Sequence, residues 1–219
     1  MRTYFRFVLI LVVFSGVSVA KAGSYEDFFS AIKQDNERTV ASLLQRGFDP
    51  NTLDPKGFHG LFLAVQEPAP KVAEVLIRWP KTNVEFRTDK DESPLMLASL
   101  RGHLDLVRKL IERDADVNKP GWAPLHYAAT NGHIEIMKLL LEHHAFIDAQ
   151  SPNGTTPLMM AAHYGSADAV KLLLGAGADT AMRNQLGMTA IDFATKAGRK
   201  EAAEMIAGVQ RRQQPRGKW

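Results

Sequence analysis

Apolar residues recur along the chain with a period of 30 to 34 residues. Pro-Leu pairs begin at residues 94, 124 and 157, and Gly60-Leu61 and Ala190-Ile191 fall in the same register. The spacings between successive sites are 34, 30, 33 and 33 residues. Small residues follow each site four and five positions later, and an apolar pair follows sixteen and seventeen positions later. A fixed period of this length indicates a stack of repeating structural units.

The pattern inside one period predicts two helices joined by a turn. Ser93 or Thr156 caps a helix start, and the next residue is a proline whose missing N–H costs nothing at the first helical position. A glycine stands eight residues after four of the start sites, at positions 102, 132, 165 and 198. Glycine favours the left-handed conformation that ends a helix. A second helix then carries a leucine stripe, and an Asp/Asn/Gly-rich segment predicts a projecting turn.

Two of these segments resemble the Thr-Pro-Leu-His-x-Ala-Ala signature of ankyrin repeats. They are residues 123–129, Ala-Pro-Leu-His-Tyr-Ala-Ala, and residues 156–162, Thr-Pro-Leu-Met-Met-Ala-Ala. The resemblance extends over about residues 24–210 and implies an all-α repeat solenoid of helix-turn-helix units joined by turn or β-hairpin fingers. It predicts six repeats within a domain over 23–210: 24–53 (N-terminal cap), 54–87, 88–117, 118–150, 151–183 and 184–210 (C-terminal cap).

Departures from the pattern predict local irregularity. Asp35 stands where the first repeat should have its inter-helix glycine. In the second repeat, Gly60 replaces the proline and Pro68 replaces the glycine. Because proline cannot adopt a positive φ, the turn at Pro68 must be rebuilt. The spacing of 30 residues before the fourth repeat predicts a shortened finger over residues 118–121.

The first 22 residues predict a secretory signal peptide. Arg2 and Arg6 precede an unbroken apolar run over residues 7–14, and small residues flank Lys21 in Ala20-Lys21-Ala22. A membrane-spanning helix needs about 20 apolar residues, but only 14 residues separate Arg6 from Lys21. We therefore expect export with cleavage after Ala22 and no stable membrane insertion afterwards. The bacterial periplasm is the favoured destination, and the extracellular space is the second.

Composition and charge narrow the classes of function. The 219 residues include no cysteine, which excludes disulfides and thiolate chemistry. Of 27 basic residues, three lie in residues 1–22 and four lie in residues 211–219, where we expect a flexible basic tail. The remaining 20 basic and 24 acidic residues give residues 23–210 a net charge of −4. This charge argues against a nucleic-acid partner.

The sequence contains no recognisable catalytic motif. There is no Gly-x-Ser-x-Gly, His-Glu-x-x-His or phosphate-binding loop. His126 occupies the histidine position of the family signature, and His103 and His133 follow inter-helix glycines. The resemblance implies that all three satisfy backbone groups at the turns. His143 and His144 are adjacent and would point in different directions from a helix. We therefore expect no catalytic residue, no metal ligand and no cofactor.

The resemblance implies a protein-binding surface, because ankyrin stacks usually contact partners through finger tips and the exposed side of each first helix. We expect one concave groove centred on the third to fifth repeats, with Trp122 and Tyr164 as aromatic anchors. The alternative for Trp122 is a purely structural role against the shortened finger. The predicted partner-binding residues are Glu92, Leu100, Arg101, Trp122, Thr130, Asn131, Asn153, Thr155, His163, Tyr164 and Met188.

Several functions fit these features. The leading prediction is a non-catalytic exported module that inhibits, stabilises or scaffolds another envelope protein. A secreted effector that acts on host proteins is the alternative, and an enzyme that uses the groove and His163 is a weaker one. Both ends of the stack have the character of caps, which favours a monomer.

Overall fold

A computed structural model of the chain describes residues 23–213. The predicted signal peptide over 1–22 and the tail residues 214–219 lie outside the described residues. Within the described part the chain is all-α and divides into an N-terminal block that ends at Asn83 and a C-terminal block that starts at Val84. None of the helices in residues 23–213 is long and apolar enough to cross a membrane.

Helices occur in pairs within each block. The N-terminal block contains α1 (residues 23–33), α2 (Glu37–Gln45), α3 (Gly60–Gln66) and α4 (Pro70–Arg78). The C-terminal block contains α5 (Pro94–Arg101), α6 (Leu104–Ile111), α7 (Pro124–Asn131), α8 (Ile134–Glu142), α9 (Pro157–His163), α10 (Ala167–Gly175), α11 (Ala190–Lys196) and α12 (Lys200–Gln213). The all-α class and the helix pairs predicted from the repeats are confirmed within the described residues.

The helix starts of the C-terminal block follow the predicted chemistry. The Ser93 hydroxyl accepts a hydrogen bond from the Met96 N–H at 3.2 Å, and the Thr156 hydroxyl accepts one from the Met159 N–H at 3.3 Å. A proline is the first residue of α5, α7 and α9. These caps satisfy N–H groups that a helix start otherwise leaves unpaired.

The glycines between paired helices have two different structural roles. Gly102 and Gly132 adopt φ values of +77° and +68°, so they end α5 and α7 in the predicted left-handed conformation. Gly165 is not among the positive-φ residues, which corrects the same expectation for the fifth repeat. A Cβ at Gly165 would collide with the Ala129 carbonyl oxygen and lie 2.9 Å from the Ala161 Cα. Close packing of α7 on α9 therefore requires this glycine.

The N-terminal block shows how the sequence departures are accommodated. Asp35 adopts φ +50° in place of the expected glycine, and its carboxylate accepts a hydrogen bond from the Val72 N–H at 2.9 Å. A Cβ at Gly60 would lie 2.7 Å from the Phe28 ring. Helix α1 therefore packs so closely on position 60 that any residue larger than glycine would collide with Phe28. The chain is extended at Glu67, and α4 begins at Pro70 with no cap from the side chain of its own N-cap residue, Ala69. The irregular turn predicted around Pro68 is confirmed.

The fingers are turns, and the only bridge outside the helices of residues 23–213 pairs Leu53 with His59. Of the two predicted forms, turn or β-hairpin, the fingers in this part of the chain have the turn form. Successive turns are joined by hydrogen bonds, as where the Asp179 N–H donates to the Asp148 carboxylate at 3.0 Å. In the shortened finger, the buried Lys119 ammonium pairs with Asp91.

The core of the C-terminal block lies between two rows of helices. Helix α7 packs on α5 and α9, α9 packs on α11, and each first helix packs on the second helix of its own repeat. Leu95, Leu125 and Leu158 are completely buried at equivalent positions. At the end of the row, α12 extends over Lys200–Gln213, so residues 211–213, which the sequence assigned to a flexible tail, are helical. Acidic Glu201 in its first turn and basic Arg211 and Arg212 in its last turn complement the helix dipole.

Candidate partner-binding surface

The first helices of the C-terminal block present a repeated surface. Helices α5, α7, α9 and α11 pack in sequence. We call their exposed side, together with the turns that precede them, the first-helix surface. Glu92 and Trp122 both stand two residues before the first-position proline of their helices, so they occupy equivalent places in adjacent repeats.

A shallow depression of about 200 Å³ lies on this surface. Its lining residues are Leu100, Trp122, His126, Tyr127, Thr130 and Met160. The structure thus brings together three predicted contact residues, Leu100, Trp122 and Thr130. The depression is also lined by His126, Tyr127 and Met160, which the sequence periodicity did not predict as contact residues. The wall is mainly aromatic and aliphatic, the chemistry that anchors protein interfaces.

Trp122 is partly exposed and forms one wall of the depression. Its ring lies edge-on to the His126 ring, with centroids 5.2 Å apart and an angle of 73° between the planes. The Tyr127 ring lies 6.3 Å away at an angle of 61°. Trp122 therefore packs against its own repeat and also lines an open surface, so the structural role and the contact role are compatible.

His126 supports the depression from below. It is fully buried; its Nδ1 accepts a hydrogen bond from the Ala123 N–H at 3.1 Å, and its Nε2 lies 2.9 Å from the Thr155 carbonyl oxygen. With Nδ1 as an acceptor, Nε2 carries the proton and donates to Thr155. Burial lowers the pKa of His126, which keeps the ring neutral at pH 7. The predicted role of His126 in satisfying backbone groups is confirmed.

A second aromatic group surrounds the end of α9. Tyr164 is 55% exposed, and its ring lies edge-on to His163 at a centroid distance of 4.2 Å. The His163 Nδ1 lies 3.3 Å from the Phe193 carbonyl oxygen, and the two rings are 5.9 Å apart. The Arg199 guanidinium donates to the Tyr164 and Gly165 carbonyl oxygens. These contacts hold Tyr164 in an exposed position, but neither Tyr164 nor His163 lines the depression.

The remaining predicted residues differ in accessibility. Arg101 and Asn131 are exposed at the ends of α5 and α7, and the Asn131 side-chain amide donates to the Leu100 carbonyl oxygen at 2.7 Å. Glu92 and Met188 are half-buried, and Asn153 is exposed.

Thr155 does not fit the prediction of a contact residue, because the residue is only 3% exposed. Its N–H donates to the Ser151 hydroxyl at 3.0 Å, and its carbonyl oxygen faces His126. The regular spacing of the finger positions could not reveal this burial, because the turn over residues 151–155 folds back on itself.

The first-helix surface can contact a partner through apolar packing and through charged side chains. Burial, and secondarily the charge of Glu92, raise the pKa of Tyr127, so its hydroxyl stays protonated at neutral pH. Residues 23–213 contain no group of three histidine, aspartate or glutamate side chains able to hold a metal ion.

The chain belongs to the ankyrin-repeat family. The family model described as "Ankyrin repeats (3 copies)" matches residues 28–119, 61–151 and 145–214, which together span nearly all of the repeat region. Ankyrin repeats are protein–protein interaction modules, and proteins built from them are generally scaffolds without enzymatic activity. The protein-binding class implied by the repeats is therefore supported at the level of the family.

The curated relatives are much larger proteins. The chain is 40% identical over 74 residues to neurogenic locus notch homolog protein 4 of Homo sapiens, covering 34% of this chain and 4% of the relative. It is 32% identical over 101 residues to the ankyrin repeat and KH domain-containing protein mask of Drosophila melanogaster, covering 44% of this chain and 2% of the relative. Alpha-latrocrustotoxin-Lt1a of Latrodectus tredecimguttatus is 30% identical over 92 residues, covering 42% and 6%. The chain thus spans 2 to 6% of the length of these relatives.

Proposed function

We propose that this chain is a non-catalytic module that binds a partner protein through the first-helix surface of its C-terminal block. The observation that carries the proposal is the depression between α5, α7 and α9, where Trp122, Tyr127, Leu100 and Met160 form an accessible and mainly apolar wall. Tryptophan, tyrosine and arginine dominate the binding energy of many protein interfaces. Arg101 and Tyr164, which belong to these residue types, are exposed outside the depression.

Affinity capture tests this proposal. The bait is the purified chain, and the matched baits are a Trp122→Ala, Tyr164→Ala double variant and a Phe146→Ala variant. Phe146 is 64% exposed in the turn after α8 and is not among the predicted contacts. A protein retained by the wild type and by Phe146→Ala, but lost by the double variant, supports the proposal. Equal retention by all three baits contradicts the assignment of the surface.

The proposal includes export, with the bacterial periplasm as the destination. Its support is the order of charges, apolar run and small residues within residues 1–22. There the module would inhibit, stabilise or scaffold an envelope protein.

Cell fractionation with N-terminal sequencing tests export separately from binding. The expected result is a periplasmic protein that begins at Gly23, and a Leu11→Arg variant should remain uncleaved because a charge interrupts the apolar run. An uncleaved wild-type chain in the cytoplasmic fraction would refute export. A cleaved chain in the culture medium would favour the secreted effector instead of the periplasmic module.

A further inference from the structure

The walls of the depression have a geometry that suits a flat cation. The Trp122 and Tyr127 rings are inclined to each other by 61°, with centroids 6.3 Å apart, so they form two sides of a corner. Aromatic faces carry negative electrostatic potential and attract a guanidinium or an ammonium within about 6 Å of the ring centroid. A volume of about 200 Å³ has the scale of a single large side chain rather than of an extended segment.

A carboxylate stands at the same end of the neighbouring repeat. Glu92 is half-buried and occupies in its repeat the position that Trp122 occupies in the next, and α5 packs directly on α7. Its backbone N–H donates to the Thr88 hydroxyl at 3.1 Å, and one carboxylate oxygen lies 3.5 Å from the same hydroxyl. Tyr127 is close enough for the charge of Glu92 to contribute to the raised pKa of its hydroxyl.

Two basic side chains on the adjacent fingers are already paired with other carboxylates. Arg87 pairs with Glu85 at 2.7 Å, and Lys119 pairs with Asp91. Among the ion pairs observed in residues 23–213, none involves Glu92. Because a partly desolvated carboxylate gains most from a cation placed beside it, Glu92 supplies a charge complementary to a basic ligand.

We propose that the depression binds a basic side chain of the partner protein, placed over Trp122 and Tyr127 and neutralised by Glu92. Arginine fits the corner best, because its planar guanidinium stacks on aromatic faces while it hydrogen-bonds a carboxylate, whereas the lysine ammonium is compact and strongly hydrated. This inference rests on the proposed function and names the chemistry by which the first-helix surface recognises its partner.

The test uses blocked tripeptides, acetyl-Gly-Xaa-Gly-amide with arginine, lysine, leucine or glutamate in the middle. Binding to the purified chain is followed by the NMR shift of the Trp122 indole N–H, which a Trp122→Phe variant identifies among the three tryptophans. We expect weak binding in the order arginine, lysine, leucine, with no response to glutamate. Glu92→Gln should weaken the arginine peptide about threefold, as expected for a partly exposed charge pair, and leave the leucine peptide unchanged.

The matched control is Glu112→Gln, which removes the same charge from an exposed position at the end of α6. It should leave every peptide at its wild-type affinity, and circular dichroism should show that all variants keep the helical fold. Arginine binding that Glu92→Gln leaves unchanged would overturn the role of Glu92.

Two outcomes separate this inference from the proposed function. Equal binding of the leucine and arginine peptides would overturn the cation site and leave the apolar docking surface standing. No response of the indole to any peptide would also overturn the cation site. The proposed function would then be judged by capture with the Trp122→Ala, Tyr164→Ala bait, which does not depend on peptide binding.

Discussion

Two buried histidines, one in each block, have the same hydrogen-bonding pattern. The His59 Nδ1 accepts from the Leu61 N–H at 3.1 Å, and its Nε2 lies 2.9 Å from the Asn51 side-chain oxygen. His126 makes the corresponding contacts with Ala123 and Thr155. In both rings a proton on Nδ1 would remove the acceptor that the backbone N–H uses. Neutral histidine is therefore part of the folded structure at these positions.

The first prediction concerns the pH dependence of stability at His59. Burial lowers its pKa to about 4, against an opposing attraction from Asp49, whereas the unfolded chain titrates near pH 6.5. The unfolded state therefore binds more protons between these values, and the free energy of unfolding falls as the pH falls through this window. The contribution of His59 is complete above pH 6.5, and about 2 kcal/mol of it should be lost between pH 7 and pH 5.

Urea unfolding at pH 7 and pH 5, followed by circular dichroism, measures this effect. His59→Gln should be less stable than the wild type at pH 7 but should lose less stability on acidification. His143→Gln, which changes an exposed histidine, should keep the wild-type pH dependence. If the His59→Gln and wild-type curves have the same slope against pH, the account of the buried ring is wrong.

At the scale of elements, the helix boundaries follow from a few local residues. Ser93 and Thr156 cap α5 and α9, and Gly102 and Gly132 end α5 and α7. These features depend on backbone geometry within a few residues, so the sequence predicts them. The need for Gly165 arises between repeats, from the approach of α7 to α9, and a rule for a single helix end cannot reveal it.

The second prediction is a loss of stability in Gly165→Ala. The new Cβ would meet backbone atoms of Ala129 and Ala161, which cannot move without displacing a helix. We expect the free energy of unfolding to fall by about 1 to 3 kcal/mol, as for overpacked cores.

Gly175→Ala is the matched control, because a Cβ there meets nothing within 4 Å. Gly175 is the last residue of α10, where alanine should be neutral or stabilising by up to about 1 kcal/mol. Equal effects of the two substitutions in urea unfolding would show that inter-helix contact is not what requires glycine at 165.

The positions of the irregular turns could be predicted from the sequence, but the contacts that form them could not. Proline at position 68 and aspartate at position 35 mark turns that depart from the repeat. The sequence does not reveal that Asp35 caps α4 through Val72, since this contact joins residues 37 positions apart. Likewise, a side chain at position 60 would collide with the Phe28 ring of α1. Local helix propensity carries no information about this contact.

At the scale of the whole molecule, repeat position identifies a surface but not the depression on it. Counting from the first-position proline leads to Leu100, Trp122 and Thr130, because equivalent residues face the same way. Tyr127 and Met160 line the depression because α7 packs between its neighbours. Thr155 is buried and does not reach the surface, because its turn folds inwards. The part of the site fixed by periodicity is therefore predictable, and the part fixed by contact between repeats requires the structure.

The central claim is that partner binding depends on Trp122 at the first-helix surface and not on exposed aromatic area in general. The most direct measurement is the dissociation constant of the captured partner for the wild type, Trp122→Ala and Phe146→Ala by isothermal titration calorimetry. Truncating an interface anchor costs about 2 kcal/mol, so Trp122→Ala should weaken binding about thirtyfold while Phe146→Ala leaves it unchanged. Wild-type affinity in Trp122→Ala, or an equal loss in both variants, would contradict the account.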